Sequence, residues 1–400
     1  MAPPVGIASS NGLKLYGEKR HRSAVRSPAA LGSGASERAS RRELNIALCV
    51  PLGGVTGIWG PSALASAKLA ASELNSLSGI GGRPCRLISV NADDDAPMLE
   101  SVLSDLVHSG EVDALVGMHT SRVRQRILTA IGGEIPFVYT PLYEGGECTP
   151  GVFAIGDTPA RQLQPAIAWL AEHERPRRWA FLGNDYVWPH VSNRLARNYV
   201  ARCGAEVVSE EYVPLHTIDF SAQLATICSA GVDAVLLSLV GEDAIAFNRA
   251  FGEQGFGRSA VRLSCAIEEN ELLAIGAQNT ERLYVASSYF AALATDASIA
   301  FKERYYNHFG DRAPTLNSLG QSTYEGVHFL ASLVQRGLLE PSQWRQERRE
   351  PIAYCSAREA IYRGDGTNLA PTYMAVAEGH AFRVIARLSS PPRASMFQSK

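Results

Sequence analysis

The sequence predicts an α/β protein of two lobes, each a doubly wound parallel sheet flanked by helices. Three observations lead to this prediction. The chain has 400 residues, more than one typical hydrophobic core accommodates. Short apolar runs rich in β-branched residues alternate with longer helical patterns at the spacing of βαβ units. The alternation restarts near residue 158, so two similar halves follow each other along the chain.

Strands and helices alternate strictly in the first half. The predicted strands are LNIALCVPL (44–52), CRLISVNADDD (85–95), VDALVGMHTS (112–121) and IPFVYTPLYEG (135–145). The predicted helices are GPSALASAKLAASELNSL (60–77), APMLESVLSDLVHSG (96–110) and RVRQRILTAIGGE (122–134). Pro61 suits the first turn of a helix, where its missing N–H costs nothing. Gly110 suits the end of the next helix, because glycine adopts the left-handed backbone of a C-cap without strain.

The second half repeats the pattern. The predicted strands are 177–185, 205–215 and 232–241, followed late in the chain by the apolar run 282–290. The predicted helices are 158–174, 190–204, 220–231, 242–255 and 297–310, and the segment 322–337 follows them. The lobes are expected to share crossovers, since no low-complexity linker separates the halves. The predicted division is a basic disordered tail at 1–43, lobe 1 at 44–158 and 288–332, lobe 2 at 159–287 and 333–388, and a disordered tail at 389–400.

The composition is that of a globular protein with a small net charge. Hydrophobic residues make up 46% of the chain, charged residues 20%, and the net charge is −2. The first 44 residues carry eight Lys/Arg and three Glu, but no helix-turn-helix pattern accompanies them, so no nucleic-acid partner is predicted. No run approaches 18 apolar residues, and we predict no membrane span.

The cysteines and the first residues bear on the compartment. Seven cysteines, an odd number with no C-x-x-C pair, favour a reducing compartment over a disulfide scaffold or zinc ribbon. The N-terminal segment has no apolar core typical of a secretory signal. A twin-arginine lipoprotein signal ending at Cys49 is disfavoured, because its apolar run is short and Leu48 is large for the residue before a lipid-attachment cysteine. A cytoplasmic location is therefore expected, with the periplasm as the alternative.

No catalytic constellation is present in the sequence. It lacks the G-x-S-x-G elbow, the G-x-x-x-x-G-K-[ST] phosphate loop and the H-E-x-x-H zinc motif. The nine histidines have no ligand spacing, and the acids Asp93–Asp95 before Pro97 are more typical of a solvated turn than of a metal site. We predict that the protein is not an enzyme and uses neither a cofactor nor a metal.

Polar and aromatic side chains recur where predicted strands end. Ligands of open α/β folds bind beyond the carboxyl ends of strands. A serine that begins a helix can cap it, and the free N–H groups of the first turn can hold a ligand oxygen. Together these positions suggest a small polar ligand clamped between the lobes. The candidate residues are His119, Thr120, Ser121, Tyr139, Thr140, Pro141, Tyr186, Trp188 and Glu242.

Several segments resemble one known family. These are GGVTGIWGPSALASAKLAASELNSLSGIGGRP, PLYEGGE, GNDYVWPHVSN, EEYVPL…DF and LVGEDAIAF. They are similar to the type I periplasmic-binding-protein fold over about residues 44–390. The branch they most resemble holds the amide-sensing negative regulator of aliphatic amidase and the urea and short-chain-amide receptors of ABC transporters.

The resemblance implies roles for some of the candidates. Ser121 and the backbone after it would hold the ligand on lobe 1, and Tyr139 with Thr140–Pro141 would line the floor. Tyr186 and Trp188 would close over it from lobe 2 as an apolar lid. His119 and Trp188 depart from the amidase regulator, which leaves the size and identity of the ligand open.

The resemblance also implies two alternative functions. The first is a cytosolic regulator that closes over a small amide or urea and changes its binding to a partner protein. The second is an ABC-transporter substrate-binding protein for urea, short-chain amides or branched-chain amino acids, whose partner would be a permease. A homodimer is left open.

Overall fold

The computed structural model describes residues 42–344, 351–363 and 368–388. The predicted N-terminal tail, apart from Arg42 and Glu43, and the predicted C-terminal tail lie outside the described residues.

The first lobe contains a five-stranded parallel sheet in the order β2-β1-β3-β4-β5. Its strands are β1 (Leu44–Val50), β2 (Cys85–Asn91), β3 (Ala114–Gly117), β4 (Phe137–Tyr139) and β5 (Val152–Ala154). The helices between them are α1 (Gly60–Ser76), α2 (Leu99–His108) and α3 (Ser121–Ile131). Every residue of β1 is buried, as expected for a central parallel strand covered on both faces.

The second lobe contains a seven-stranded sheet in the order β14-β13-β10-β9-β8-β6-β7. Its parallel strands are β6 (Arg178–Asn184), β7 (Glu206–Val213), β8 (Ala234–Ser238), β9 (Val261–Ser264) and β10 (Leu283–Ser287). The antiparallel hairpin β13 (Thr372–Glu378) and β14 (Ala381–Leu388) extends one edge. The helices are α4 (Pro159–His173), α5 (Val187–Arg202), α6 (Ser221–Ala230), α7 (Gly241–Glu253) and α8 (Glu269–Ile275).

The predicted fold class, two α/β lobes with parallel sheets flanked by helices, is confirmed. Two late helices, α9 (Asp296–Phe309) and α10 (Ser318–Gln335), return to the first lobe, where α10 packs along α1. A short two-stranded sheet follows, formed by β11 (Ile361–Tyr362) and β12 (Asn368–Leu369).

The late part of the chain divides differently from the predicted limits. The prediction assigned 333–388 to lobe 2. In the structure Leu338, Ile352 and Tyr362 belong to the hydrophobic core of the first sheet, and the ring of Tyr362 lies 5.0 Å from that of Phe329 in α10. Of the described residues after 332, only β13 and β14 join the second sheet. Leu338, Ile352 and Tyr362 lie instead with the first lobe, because their side chains complete the core around α10.

Hydrogen bonds join the two lobes across the cleft. The Glu242 N–H donates to the Val55 carbonyl (2.9 Å), and the Asn270 amide donates to the Ile58 carbonyl (2.6 Å). The Ser318 N–H donates to Glu268 Oε2 (2.7 Å). The lobes are therefore in contact, and the structure represents a closed form.

Candidate ligand-binding site

A small cavity lies between the lobes at the carboxyl ends of the strands. Its volume is about 20 Å³, enough for about one water molecule. Its walls come from the segments after β1, β3 and β4 of the first lobe and after β6, β8 and β9 of the second. The lining residues are Trp59, His119, Thr120, Ser121, Pro141, Leu142, Tyr186, Trp188, Val240, Ala266 and Leu319.

The start of α3 forms the polar wall of the cavity. Thr120 is the N-cap, and its hydroxyl accepts the Val123 N–H (3.3 Å) and donates to Asp94 Oδ1 (2.7 Å). The N–H groups of Ser121 and Arg122 belong to the first helical turn, which has no carbonyl acceptor within the helix. These two groups can therefore donate to the oxygen of a bound solute.

A buried ion cluster lies directly behind Ser121. The Ser121 hydroxyl donates to Glu144 Oε2 (2.6 Å), and Arg124 pairs with Glu144. The Arg124 Nε also lies 3.2 Å from Glu147 Oε2. Both carboxylates keep only 8% of their side-chain surface exposed, so solvent screens the cluster weakly. Two carboxylates thus face one guanidinium, and Arg124 is not left as a free cation for a ligand.

His119 is a neutral member of the wall. Burial lowers the pKa of His119 from 6.5 to about 3. Its Nδ1 lies 3.1 Å from the Thr120 carbonyl, which can only accept, so the proton is on Nδ1 and Nε2 carries the lone pair. Nε2 and Asp94 Oδ2 are buried without a hydrogen-bond partner among the described residues. Both atoms are acceptors.

The second lobe supplies the aromatic wall. Tyr186 and Trp188 follow β6, with ring centroids 6.3 Å apart. Asn184, the last residue of β6, accepts the Val240 N–H (3.0 Å) and donates to Asp243 Oδ2 (2.6 Å). This amide holds the segments after β6 and β8 together, and so fixes where the two aromatic rings stand.

The structure brings most of the predicted site residues to one place. Those that line the cavity are His119, Thr120, Ser121, Pro141, Tyr186 and Trp188.

The other three predicted residues lie elsewhere. Tyr139 and Thr140 are fully buried behind the wall: the Tyr139 hydroxyl donates to the His119 carbonyl (2.7 Å), and the Thr140 hydroxyl donates to the Gly117 carbonyl (3.2 Å). The Glu242 side chain is exposed, and its neighbour Asp243 is buried instead. None of these three residues lines the cavity, although Thr140 lines an adjoining cavity that shares Pro141 and Leu142 with it.

Sequence reasoning missed the apolar part of the lining. The missed residues are Trp59, Leu142, Val240, Ala266 and Leu319. Four of them look like ordinary core residues, so the sequence carries no signal for them. Trp59 stands in a glycine-rich turn after β1, where a large aromatic is unusual, and that signal could have identified it.

Within the described part of the chain, no group of three or more His, Cys, Asp or Glu side chains could hold a metal ion. In the same residues no helix is long and apolar enough to cross a bilayer.

The family follows from comparison with known proteins. A family model described as "Periplasmic binding protein" matches residues 43–380. The chain belongs to the periplasmic binding protein family. This family consists of binding proteins, so the chain is a ligand-binding protein and not an enzyme. The predicted type I fold is confirmed, whereas the amide and urea branch stays a prediction.

Solved structures share the fold at low sequence identity. A periplasmic binding protein from Burkholderia mallei has a TM-score of 0.76 at 19% identity, over 87% of this chain and 95% of that one. A solute-binding protein of an ABC transporter from R. palustris, in complex with 4-hydroxybenzoate, gives 0.75 at 14%, over 88% and 99%. The branched-chain amino acid transporter substrate-binding protein from Streptococcus pneumoniae, in complex with isoleucine, gives 0.71 at 16%, over 86% and 99%.

Proposed function

We propose that this protein binds a small uncharged solute with N–H groups, a short-chain amide or urea, by closing its two lobes over it. The observation that carries the proposal is the combination of cavity size and polarity. The closed cavity holds about one water molecule, and three aromatic side chains, Trp59, Tyr186 and Trp188, occupy much of its wall. A small solute needs less rearrangement of these rings than an amino acid or an aromatic acid does.

The charges support an uncharged solute. None of the described residues that line the cavity is a lysine or an arginine, and Arg124 behind it is paired with Glu144 and Glu147. A carboxylate ligand in this cavity would have no cation in the lining to pair with, and its desolvation would be costly. The buried guanidinium of Arg358 lines a separate, adjoining cavity. An amide could instead place its oxygen at the N–H groups that begin α3 and its NH₂ group against the Ser121 hydroxyl oxygen, whose own proton is donated to Glu144.

Delivery of the solute to an ABC permease is the role that the structural neighbours favour: one of those described above is the solute-binding protein of an ABC transporter, and another is the substrate-binding protein of a branched-chain amino acid transporter. A second role, a cytosolic sensor that acts on a partner protein, is supported by the cysteines: Cys49, Cys85, Cys203, Cys228, Cys265 and Cys355 form no disulfide among the described residues, which fits a reducing compartment. Fractionation of the native host distinguishes them. Exported protein would exclude the sensor, and protein confined to the cytosol would exclude delivery to a permease from outside the cell.

A thermal-shift panel tests the proposed ligand class. The purified protein would be heated with acetamide, butyramide, urea, leucine or glutamate. A ligand at 100 times its dissociation constant adds about 2.7 kcal/mol to the free energy of unfolding, which raises the Tm by several degrees. Stabilisation by amides or urea is the expected result. Stabilisation by leucine or glutamate alone would reject the amide proposal and make the protein an amino-acid receptor.

A further inference from the structure

The geometry points to Glu144 as the residue that sets the polarity of the ligand site by acting through Ser121. By accepting the hydrogen bond of the Ser121 hydroxyl, Glu144 leaves Ser121 as a hydrogen-bond acceptor towards the cavity. The site then selects a ligand with an N–H group at this point and rejects a carboxylate oxygen in the same place. This inference rests on the proposed function and specifies how that site distinguishes an amide from the corresponding acid.

The direction of the Ser121–Glu144 hydrogen bond is fixed by chemistry. A carboxylate accepts hydrogen bonds and a hydroxyl has a single proton, so at 2.6 Å between Oγ and Oε2 the serine donates. Arg124 pairs with the other oxygen of Glu144 and holds the carboxylate in place. The Arg124 Nη1 lies 3.4 Å from Ser121 Oγ and also donates to it. Towards the cavity, Ser121 has only lone-pair density left to offer.

The neighbouring hydroxyls are oriented in the same sense. The Thr120 hydroxyl donates to Asp94 Oδ1, and the Tyr139 hydroxyl donates to the His119 carbonyl. These three hydroxyl protons are therefore directed into the protein. On the first lobe, the N–H groups of Ser121 and Arg122 at the start of α3 remain as donors. An amide complements this arrangement, because its NH₂ group can donate to the Ser121 hydroxyl oxygen while its carbonyl oxygen accepts from the N–H groups of α3. A carboxylate does not, because both of its oxygens are acceptors.

Glu147 provides a matched control for Glu144. It is buried to the same extent and contacts the same arginine, at 3.2 Å from Nε to Oε2. Its other oxygen accepts the Thr149 N–H (2.9 Å), and no contact with Ser121 is present among the described residues. Glu144→Gln and Glu147→Gln therefore remove the same charge beside Arg124. Only Glu144→Gln removes the carboxylate that accepts the hydrogen bond of the Ser121 hydroxyl.

The experiment measures dissociation constants for acetamide and acetate, which have nearly the same shape. Wild type, Glu144→Gln, Glu147→Gln and Ser121→Ala would each be titrated by calorimetry. We expect wild type to prefer acetamide. In Glu144→Gln the serine hydroxyl can turn and donate to a ligand oxygen. The preference for acetamide over acetate should therefore be roughly fivefold smaller in Glu144→Gln than in Glu147→Gln, a difference that corresponds to about one hydrogen bond. Ser121→Ala should lose the preference to a similar extent.

Each outcome decides the inference. An equal change in Glu144→Gln and Glu147→Gln would show a general charge effect and overturn it, as would wild type binding acetate more tightly than acetamide. If Glu144→Gln does not fold, Ser121→Ala carries the test, and an unchanged preference in that variant overturns the inference. Wild type that binds none of acetamide, acetate and urea overturns the proposed function itself, which is a different result from intact binding with an unchanged preference.

Discussion

At the scale of single residues, Trp59 links the ligand cavity to the closure of the lobes. Its ring lines the cavity and is 3% exposed. Its indole N–H donates to Glu271 of the opposite lobe. The preceding residue, Ile58, accepts the Asn270 amide from the same helix, α8. One side chain therefore contacts the solute position and also holds the lobes together.

Trp59→Phe should weaken solute binding more than it weakens the fold. Phenylalanine keeps an aromatic wall but removes the donor to Glu271, and a buried acceptor left without a partner costs about 1–3 kcal/mol. We expect affinity to fall by about tenfold in calorimetric titration. Trp169→Phe is the control, since Trp169 stacks on His173 in α4 and does not line the cavity. Equal affinities of the two variants would contradict the linking role.

The sequence predicts site residues where strand ends determine position. His119, Ser121, Tyr186 and Trp188 follow predicted strands, and parallel strands bring their carboxyl ends together. The role of Glu144 is not predictable in this way, because its partner Ser121 lies 23 residues earlier and only the folded chain joins them. Glu242 shows a second limit: two adjacent acids lie in the first turn of α7, and the sequence does not say which of them the helix turns inwards.

At the scale of elements, the turn before α7 is shaped for the closed form. Gly241 has φ +52°, and a Cβ built there would lie 1.9 Å from the Val55 carbonyl oxygen of the other lobe. The same oxygen accepts the Glu242 N–H. Only glycine allows the two backbones to approach this closely in this conformation.

Gly241→Ala should therefore block closure while the lobes stay folded. We expect solute affinity to fall by more than about tenfold. The alanine Cβ would clash with the Val55 carbonyl in the closed form, and the left-handed backbone conformation costs an alanine about 1–2 kcal/mol in addition. Gly255→Ala is the matched control: its φ is +75°, and nothing lies within 4 Å of a Cβ built there. Both variants carry the backbone penalty, so a similar affinity loss in both would contradict the closure argument.

The start of α8 makes stability depend on pH. Burial raises the pKa of Glu269 and of Glu271 from 4.5 to about 7. Between these values the folded protein binds more protons than the unfolded chain, so stability is lost as the pH rises towards and through 7. His119 acts in the opposite direction, but only between about pH 3 and 6.5. Above that range Glu269 and Glu271 act in the same direction as the neighbouring Glu268, whose pKa burial raises well above its usual value.

We therefore expect the Tm to fall between pH 6 and pH 8. Glu269→Gln should flatten this fall, because its amide oxygen can still accept the Ala291 N–H that Glu269 accepts at 2.6 Å. Glu253→Gln, at an exposed position of α7, should leave the profile as it is in wild type. A Tm that rises from pH 6 to pH 8 in wild type would refute the account of these carboxyls.

The elements themselves are predictable where apolar periodicity is strong, and less so at the late edge of the second sheet. β9 contains Arg262, fully buried and hydrogen-bonded to Asn248 (2.7 Å), and a charged residue interrupts the apolar run that marks a strand. The hairpin β13–β14 is antiparallel and turns at Gly379. It departs from the strand–helix alternation on which the prediction rested, so the pattern gives no reason to expect it.

At the scale of the whole molecule, we propose that binding shifts the two lobes from an open to a closed form. A solute favours closure only by the difference in its affinity for the two forms. The closed cavity has room for about one water molecule, so a larger solute must enter while the cleft is open, and the aromatic rings of the wall must move as the lobes close over it. Trp59, Gly241 and Glu271 lie where the two lobes meet and act on this same equilibrium.

The central claim is that the cleft closes over a small uncharged amide and not over an acid with a large side group. The most direct test is a calorimetric titration of wild type with acetamide and, separately, with benzoate. The account predicts one acetamide site per chain, with a negative heat-capacity change from buried apolar surface, and much weaker benzoate binding. Tighter binding of benzoate would contradict it. The cavity would then have to admit an aromatic ring and hold a carboxylate, although none of its described lining residues is a lysine or an arginine.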